Sequence, residues 1–144
     1  MKNNQPLIDT NILVYAYDRS EGDKHQICRD LVAGCWRGSE NYTIALQNLS
    51  EYYVVVTKRI QKPLLASEAA SIVQNFLEFG GWRKINSTEK AVSDAMELNT
   101  EYGIPYWDAL LAASMRAHQI HEIVTENDRD FKKIPWIKTT NPLK

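Results

Sequence analysis

In the stretch YGIPYWDALLAAS, residues 102–114, Asp108 stands between Trp107 and a run of Ala and Leu that reads as a buried helix. A buried carboxylate without a partner is costly, so a chain keeps one only where something compensates it. Other acids are placed as suggestively. Asp9 lies where the strand-like PLIDT ends, Glu51 lies four residues after Gln47 in the helix-like QNLSEYYVVVTKR, and Asn127 to Asp130 follow EIVT after Glu126. Gathered in one place, Asp9, Glu51 and Asp108 repel, and at least one holds a proton unless a cation sits among them. Hard oxygen donors, with no cysteine among them and no His-x-x-x-His pair, suit Mg²⁺ or Mn²⁺. The chemistry this supports is phosphodiester hydrolysis, in which the ion lowers the pKa of a bound water, orients the phosphate and offsets charge on the leaving oxygen.

What must position these side chains is an alternation of strands and helices. PLIDT is a short strand that feeds the helix NILVYAYD, with Thr10 as its N-cap, and Ile27, Leu31, Val32 and Cys35 mark a second helix from Asp23 to about Arg37. NYTIAL reads as a strand and QNLSEYYVVVTKR as the next helix. ASEAASIVQNFLEF is a helix capped by Ser67 and stopped at Gly80-Gly81. After the short strand GWRKIN come two further helices, STEKAVSDAMELNTEYG, closed by Gly103 and Pro105, and WDALLAASMRAHQ, then the strand HEIVT. Short strands separated by helices of this length imply right-handed crossovers and an α/β fold with a mainly parallel central sheet flanked by helices. Ligands of such sheets bind beyond the carboxyl ends of the strands, where Asp9 and the segment 127–130 both fall. Asp108, in the first turn of its helix, meets the partial positive charge of a helix start. Thr10, Asn11 and Thr125 are candidates to position water or substrate through a hydroxyl or amide.

With 144 residues, 44% apolar and 24% charged, the chain is expected to form one domain over residues 1–144 with one cleft. A net charge of −1 argues against a strongly basic nucleic-acid binder but leaves room for a local basic lip. Apolar runs fall far short of the ~18 residues of a membrane span, and MKNNQPL is too short and polar for a signal peptide. A soluble cytoplasmic protein without a membrane partner is therefore expected. Cys28 and Cys35 share a helix face and read as reduced core thiols. His118 and His121 straddle a helix end and a strand start without the i, i+4 geometry of a metal pair, and His25 reads as a surface residue.

Taken in order and spacing, LIDTNILVYAYD, LQNLSEYYVVVTKR, YGIPYWDALLAAS and IVTENDRDF resemble the PIN-domain ribonucleases, especially the VapC-type toxins of toxin–antitoxin pairs. The resemblance runs from Pro6 to the end. DTN alone is a weak signal; the ordered set is a strong one. It implies a PIN-like domain, Mg²⁺- or Mn²⁺-dependent endoribonuclease activity on RNA, a homodimer, and an antitoxin protein that blocks the site. It carries the first, second and third family acids onto Asp9, Glu51 and Asp108. Where a fourth acid is usual, Thr125-Glu126-Asn127 places a neutral amide, so Asn127, Asp128 and Asp130 are the candidates for that position.

Taken singly, each acid has a plainer role: Asp9 as a helix cap, Glu51 as a solvated helix residue, Asp108 as a helix-start cap facing water, Asp130 as the brace of a turn. Their shared placement and the ordered resemblance favour the metal site. For the substrate, Lys58 and Arg59, with Lys62, are candidates for phosphate contacts, which position RNA without reading its sequence. Tyr15, Tyr17, Tyr52 and Tyr53 can stack bases or fill a core. The alternative is a catalytically weak or inactive PIN-like module that binds RNA or protein, since Asn127 removes one charge from the site. A haloacid-type phosphatase needs a second Asp two residues after the first, where this chain has Asn11.

Overall fold

The computed structural model describes residues 5–144; the segment MKNN, on which the signal-peptide reading rests in part, lies outside the described residues. Five strands form the sheet: β1 (Leu7–Ile8), β2 (Tyr42–Ala45), β3 (Trp82–Ile85), β4 (Glu122–Val124) and β5 (Lys138–Thr140). Their order is β3-β2-β1-β4-β5, and every neighbouring pair is parallel. The helices are α1 (Thr10–Tyr17), α2 (Asp23–Trp36), α3 (Leu46–Lys58), α4 (Ala66–Glu78), α5 (Glu89–Tyr102), α6 (Tyr106–Ala117) and α7 (Asp128–Phe131), with a 3-10 turn at Arg19–Glu21. No helix among the described residues is long and apolar enough to cross a membrane.

Successive strand residues point to opposite faces of a sheet, and this splits the core in two. Leu7, Ala45, Ile85 and Ile123 join Ala91, Ala95, Leu111 and Met115 of α5 and α6. Ile8, Ile44, Trp82 and Val124 join Ile12, Val32, Tyr52 and Phe76 of α1 to α4. The result is helix, sheet, helix, with β1 fully buried between the two layers. Gly103 ends α5 in the left-handed conformation, φ 65°, that an L side chain resists. Cys28 and Cys35 are free thiols buried on α2.

Three local expectations are corrected. Thr10 is the first residue of α1 rather than its cap; the cap is Asp9, whose carboxylate accepts the Thr10 N–H. Ser67 does not cap α4, which begins at Ala66 after Leu65, and the Glu68 carboxylate accepts the Leu65 N–H at 3.0 Å in its place. Two elements, α7 and β5, have no counterpart in the sequence reading.

Candidate active site

β1 lies between β2 and β4, so the chain leaves it toward one edge and later returns on the other side. In open parallel sheets a crevice opens at this switch, beyond the strand carboxyl ends. Asp9 and Thr125 occupy it, each one residue past its strand, and the Asp9 N–H donates to the Val124 carbonyl at 3.0 Å. The buried Asp9 carboxylate accepts Thr10 N at 2.8 Å on Oδ1 and Thr125 Oγ1 at 2.7 Å on Oδ2, with the Asn11 amide more distant at 3.4 Å. Asn11 also accepts the Glu126 N–H at 3.1 Å. Segments 116 positions apart in the chain are thereby tied to one carboxylate. Burial pushes the Asp9 carboxyl upward and the Glu51 charge adds to this, against the bonds from Thr125, Thr10 and Asn11.

Glu51 arrives from α3, one turn after Asn48. Thr10 Oγ1 donates to Glu51 Oε1 at 2.8 Å and accepts from Asn48 Nδ2 at 3.0 Å, while Asn48 Oδ1 takes the Ala45 N–H at 3.0 Å. The sequence reading missed Asn48. Its signal is a poor helix former inside a helix start, just after a strand and three residues before the acid. Gln47 reaches the Trp107 carbonyl at 3.2 Å and so fastens the start of α6 to α3.

Asp108, half-buried in the first turn of α6, receives Asn127 Nδ2 at 2.9 Å, and the same nitrogen donates to Asp130 Oδ2 at 3.0 Å. The Asp108 carboxyl is pushed up to about 7, first by burial and then by the charges of Asp9, Asp130 and Glu51, against the Asn127 bond. Asp9, Thr10, Asn11, Glu51, Asp108 and Asn127 line a single open cleft of about 370 Å³, together with Val14, Tyr15 and Val55. Tyr15 donates to Glu126 at 2.6 Å, and Lys24 pairs with the other oxygen of Glu126 at 3.0 Å, closing one side of it.

The remaining candidates are placed elsewhere. Asp128 is held by Asn141 at 3.1 Å, Lys144 at 3.2 Å and Lys132 at 3.3 Å, bonds that lower its carboxyl to about 2 and bind the chain end to α7. Asp130 braces Asn127 and pairs with Lys133 at 3.7 Å. Lys58 and Arg59 are exposed at the end of α3, about 10 Å beyond Glu51 along the helix axis. Tyr52 is core and Tyr17 packs edge-on against it at 5.7 Å, whereas Tyr53 is exposed. His25 is half-buried, its Nδ1 2.9 Å from the Tyr15 carbonyl. His118 Nδ1 bonds the Ser114 carbonyl at 2.8 Å and His121 stands edge-on to Trp136.

The donor set suits a hard divalent ion, because three carboxylates face one cleft and two of them are pushed toward protonation by burial and by one another. Among the described residues no three acid, His or Cys side chains close around a common point. Mg²⁺ keeps several waters and takes only one or two carboxylates directly, so this spacing fits partly water-mediated ligation.

Comparison with known proteins adds the following. The family model described as PIN domain matches residues 7–137. The curated protein Ribonuclease VapC24 of Mycobacterium tuberculosis is 26% identical over 141 residues, covering 94% of this chain and 95% of that protein. Among solved structures, VapBC2 from Rickettsia felis, bound to a DNA fragment from its promoter, is 25% identical at a TM-score of 0.64, covering 94% of this chain and 96% of the matched one. VapC20 of Mycobacterium tuberculosis, a toxin that cleaves the sarcin-ricin loop, has a TM-score of 0.63 at 17% identity, covering 83% and 87%, a likeness of fold.

Proposed function

Because the chain belongs to the PIN domain family, we propose that it is a divalent-metal-dependent endoribonuclease, the toxin of a toxin–antitoxin pair, hydrolysing RNA phosphodiester bonds. The single observation that carries this is the assembly of Asp9, Glu51 and Asp108 in one cleft at the switch point of the sheet. Asp9 and Asp108 would hold Mg²⁺ or Mn²⁺, with Glu51 as a further ligand directly or through water. The ion supplies charge compensation for the phosphate and acidifies the attacking water. Thr125 and the Thr10 N–H fix both oxygens of Asp9. Thr10 and Asn48 hold Glu51 on its helix, and Asn127 orients Asp108. Such support matters because a site loose by about 1 Å loses much of its rate. Asn127 takes the place of a fourth acid, with Asp130 behind it. A partner antitoxin would occlude the cleft, and a homodimer in the cytoplasm is part of the same reading.

One observation favours a second reading, a binding module of low activity: the Asn127 amide already satisfies the Asp108 oxygen that an ion would take. Titrating Mn²⁺ into the protein and its Asp9→Asn form, with cleavage of a mixed RNA pool as readout, decides between them. The nuclease gains cleavage with Mn²⁺ and loses it on substitution; the module shows neither.

A further inference from the structure

Among the described residues no Lys or Arg lines the carboxylate cleft, so the phosphates of a strand lying there must find their cations elsewhere. Lys24, over the ring of the lining residue Tyr15, is already paired with Glu126. Following α1 and α3 away from the acids leads to a second cavity of about 540 Å³, between the end of α1, the 3-10 turn, α2 and the start of α4. Arg19, Arg29 and Lys62 line it, with His25, Asp18 and Glu68.

Its three cations outnumber its two carboxylates, and the cations are uncommitted while each acid accepts a local hydrogen bond. Among the described residues Arg19 and Lys62 have neither an ion pair nor a hydrogen bond. Arg29 approaches only its neighbour Asp30, at 3.9 Å and largely in solvent, a contact worth little. Asp18 Oδ1 accepts both Ser20 N at 3.1 Å and Ser20 Oγ at 2.6 Å, and Glu68 accepts the Leu65 N–H at 3.0 Å. His25 Nδ1 lies against the Tyr15 carbonyl, which can only accept, so Nδ1 carries hydrogen and Nε2 donates to a phosphate only in the imidazolium form. The eight residues of α1 separate this cavity from the Asp9 end of the helix by about 10 Å.

We propose that the cavity binds backbone phosphate of the same RNA strand that occupies the catalytic cleft, a few nucleotides from the cleavage point. The proposal rests on the endoribonuclease reading for the identity of the strand. Phosphate is the chemistry recognised: an exposed set of guanidinium and ammonium groups gives affinity without sequence preference. It also supplies, further along the strand, the Lys and Arg contacts that the cleft lining does not provide. Electrostatic capture by the cavity would precede entry of the reacting phosphate among the carboxylates.

The test is fluorescence anisotropy with a labelled single-stranded RNA of about 12 nucleotides, within the span of single-strand binders. Binding is measured over a salt series in the Asp108→Asn background, so that no cleavage intervenes. Adding Arg19→Ala and Lys62→Ala together should weaken binding and reduce the slope of log affinity against log salt by about 1.4, two contacts at about 0.7 each. A control at Lys90, on α5, should leave the slope unchanged. A slope unaltered by the double substitution, in a variant whose melting is unchanged, overturns the proposal. So does inorganic phosphate that saturates the cavity, with a response lost in the double variant, while RNA binding stays unaltered. Cleavage is scored separately in the parent protein. Absent cleavage with an Arg19- and Lys62-dependent slope rejects the nuclease and keeps the cavity; cleavage with an unaltered slope does the reverse.

Discussion

Asn127 Nδ2 donates at once to Asp108 Oδ2 at 2.9 Å and to Asp130 Oδ2 at 3.0 Å, so one neutral amide bridges two carboxylates that repel each other. Asn127→Asp turns that bridge into a third negative charge. Without metal the variant should melt below the parent, and saturating Mn²⁺ should raise its melting temperature by more than it raises the parent's. Thermal melts with and without Mn²⁺ measure both shifts. Equal Mn²⁺ shifts in the two proteins would remove position 127 from the metal site.

Asp108→Asn keeps shape and hydrogen bonding while deleting one charge. Mn²⁺ affinity and RNA cleavage should fall together, and the metal-free protein should melt at or above the parent temperature, since repulsion from Asp9, Asp130 and Glu51 is relieved. Calorimetric titration and melting curves report the two effects. Retained cleavage with lowered stability would make Asp108 only a first-turn acid that stabilises α6, whose cap position is Pro105.

The pH dependence has a defined sign. Metal-free Asp108 titrates at about 7 in the folded protein, against about 3.9 in an unfolded chain. Between these values the folded state holds a proton that the unfolded state has lost, so the contribution of this group is full below about pH 3.9 and vanishes as pH rises through 7. Asp108→Asn should flatten the decline in melting temperature across that window. Mn²⁺ competes with the same proton, so the half-saturating concentration should drop between about pH 6 and pH 8. A half-saturating concentration independent of pH would exclude Asp108 as a ligand.

Thr125 is fully buried and its hydroxyl serves two close partners, donating to Asp9 and accepting the Asn127 N–H, with the Asn11 amide farther off at 3.5 Å. Thr125→Val leaves both short of a bond in a buried place and should cost about 1–3 kcal/mol of stability, with Thr125→Ser recovering most of it. Urea denaturation gives the difference. A Val variant as stable as the parent would mean that water replaces the hydroxyl.

Asp128 offers a contrast within the same acidic segment. Its oxygens are engaged by Asn141, Lys132 and Lys144, so Asp128→Asn should lower the melting temperature while leaving Mn²⁺-stimulated cleavage near the parent rate. Cleavage lost without loss of stability would move Asp128 into the reaction.

The long helices were legible because apolar residues recur along them, Ile27, Leu31 and Cys35 on α2 for example, and because Gly103 and Pro105 close α5 visibly. The strand ends were legible for the same reason, and with them the common crevice of Asp9 and Thr125. β5 was not: Lys138–Thr140 is an edge strand of exposed and half-buried polar residues, and only its backbone pairing with β4 defines it. Four residues of α7 are too few to show a period. The cap of α4 was misread because a carboxylate from inside the helix, Glu68, performs the service assigned to Ser67. Asn48 escaped because its bonds to Thr10 and Ala45 depend on how strand and helix meet in space.

The bond from Thr125 to Asp9 spans 116 positions of the chain, and β4, which aligns them, is preceded by nearly all the other elements. A ribosome making this protein therefore releases Asp9 and its neighbour Thr10 well before Thr125, which fixes the other carboxylate oxygen. Until β4 docks beside β1, the Asp9 carboxylate lacks Thr125 and Asp108 lacks Asn127. Non-local pairing of this kind forms late and slowly. Docking of β4 on β1 is thus the step that assembles the site, because it gives two of the three carboxylates a bond that orients them.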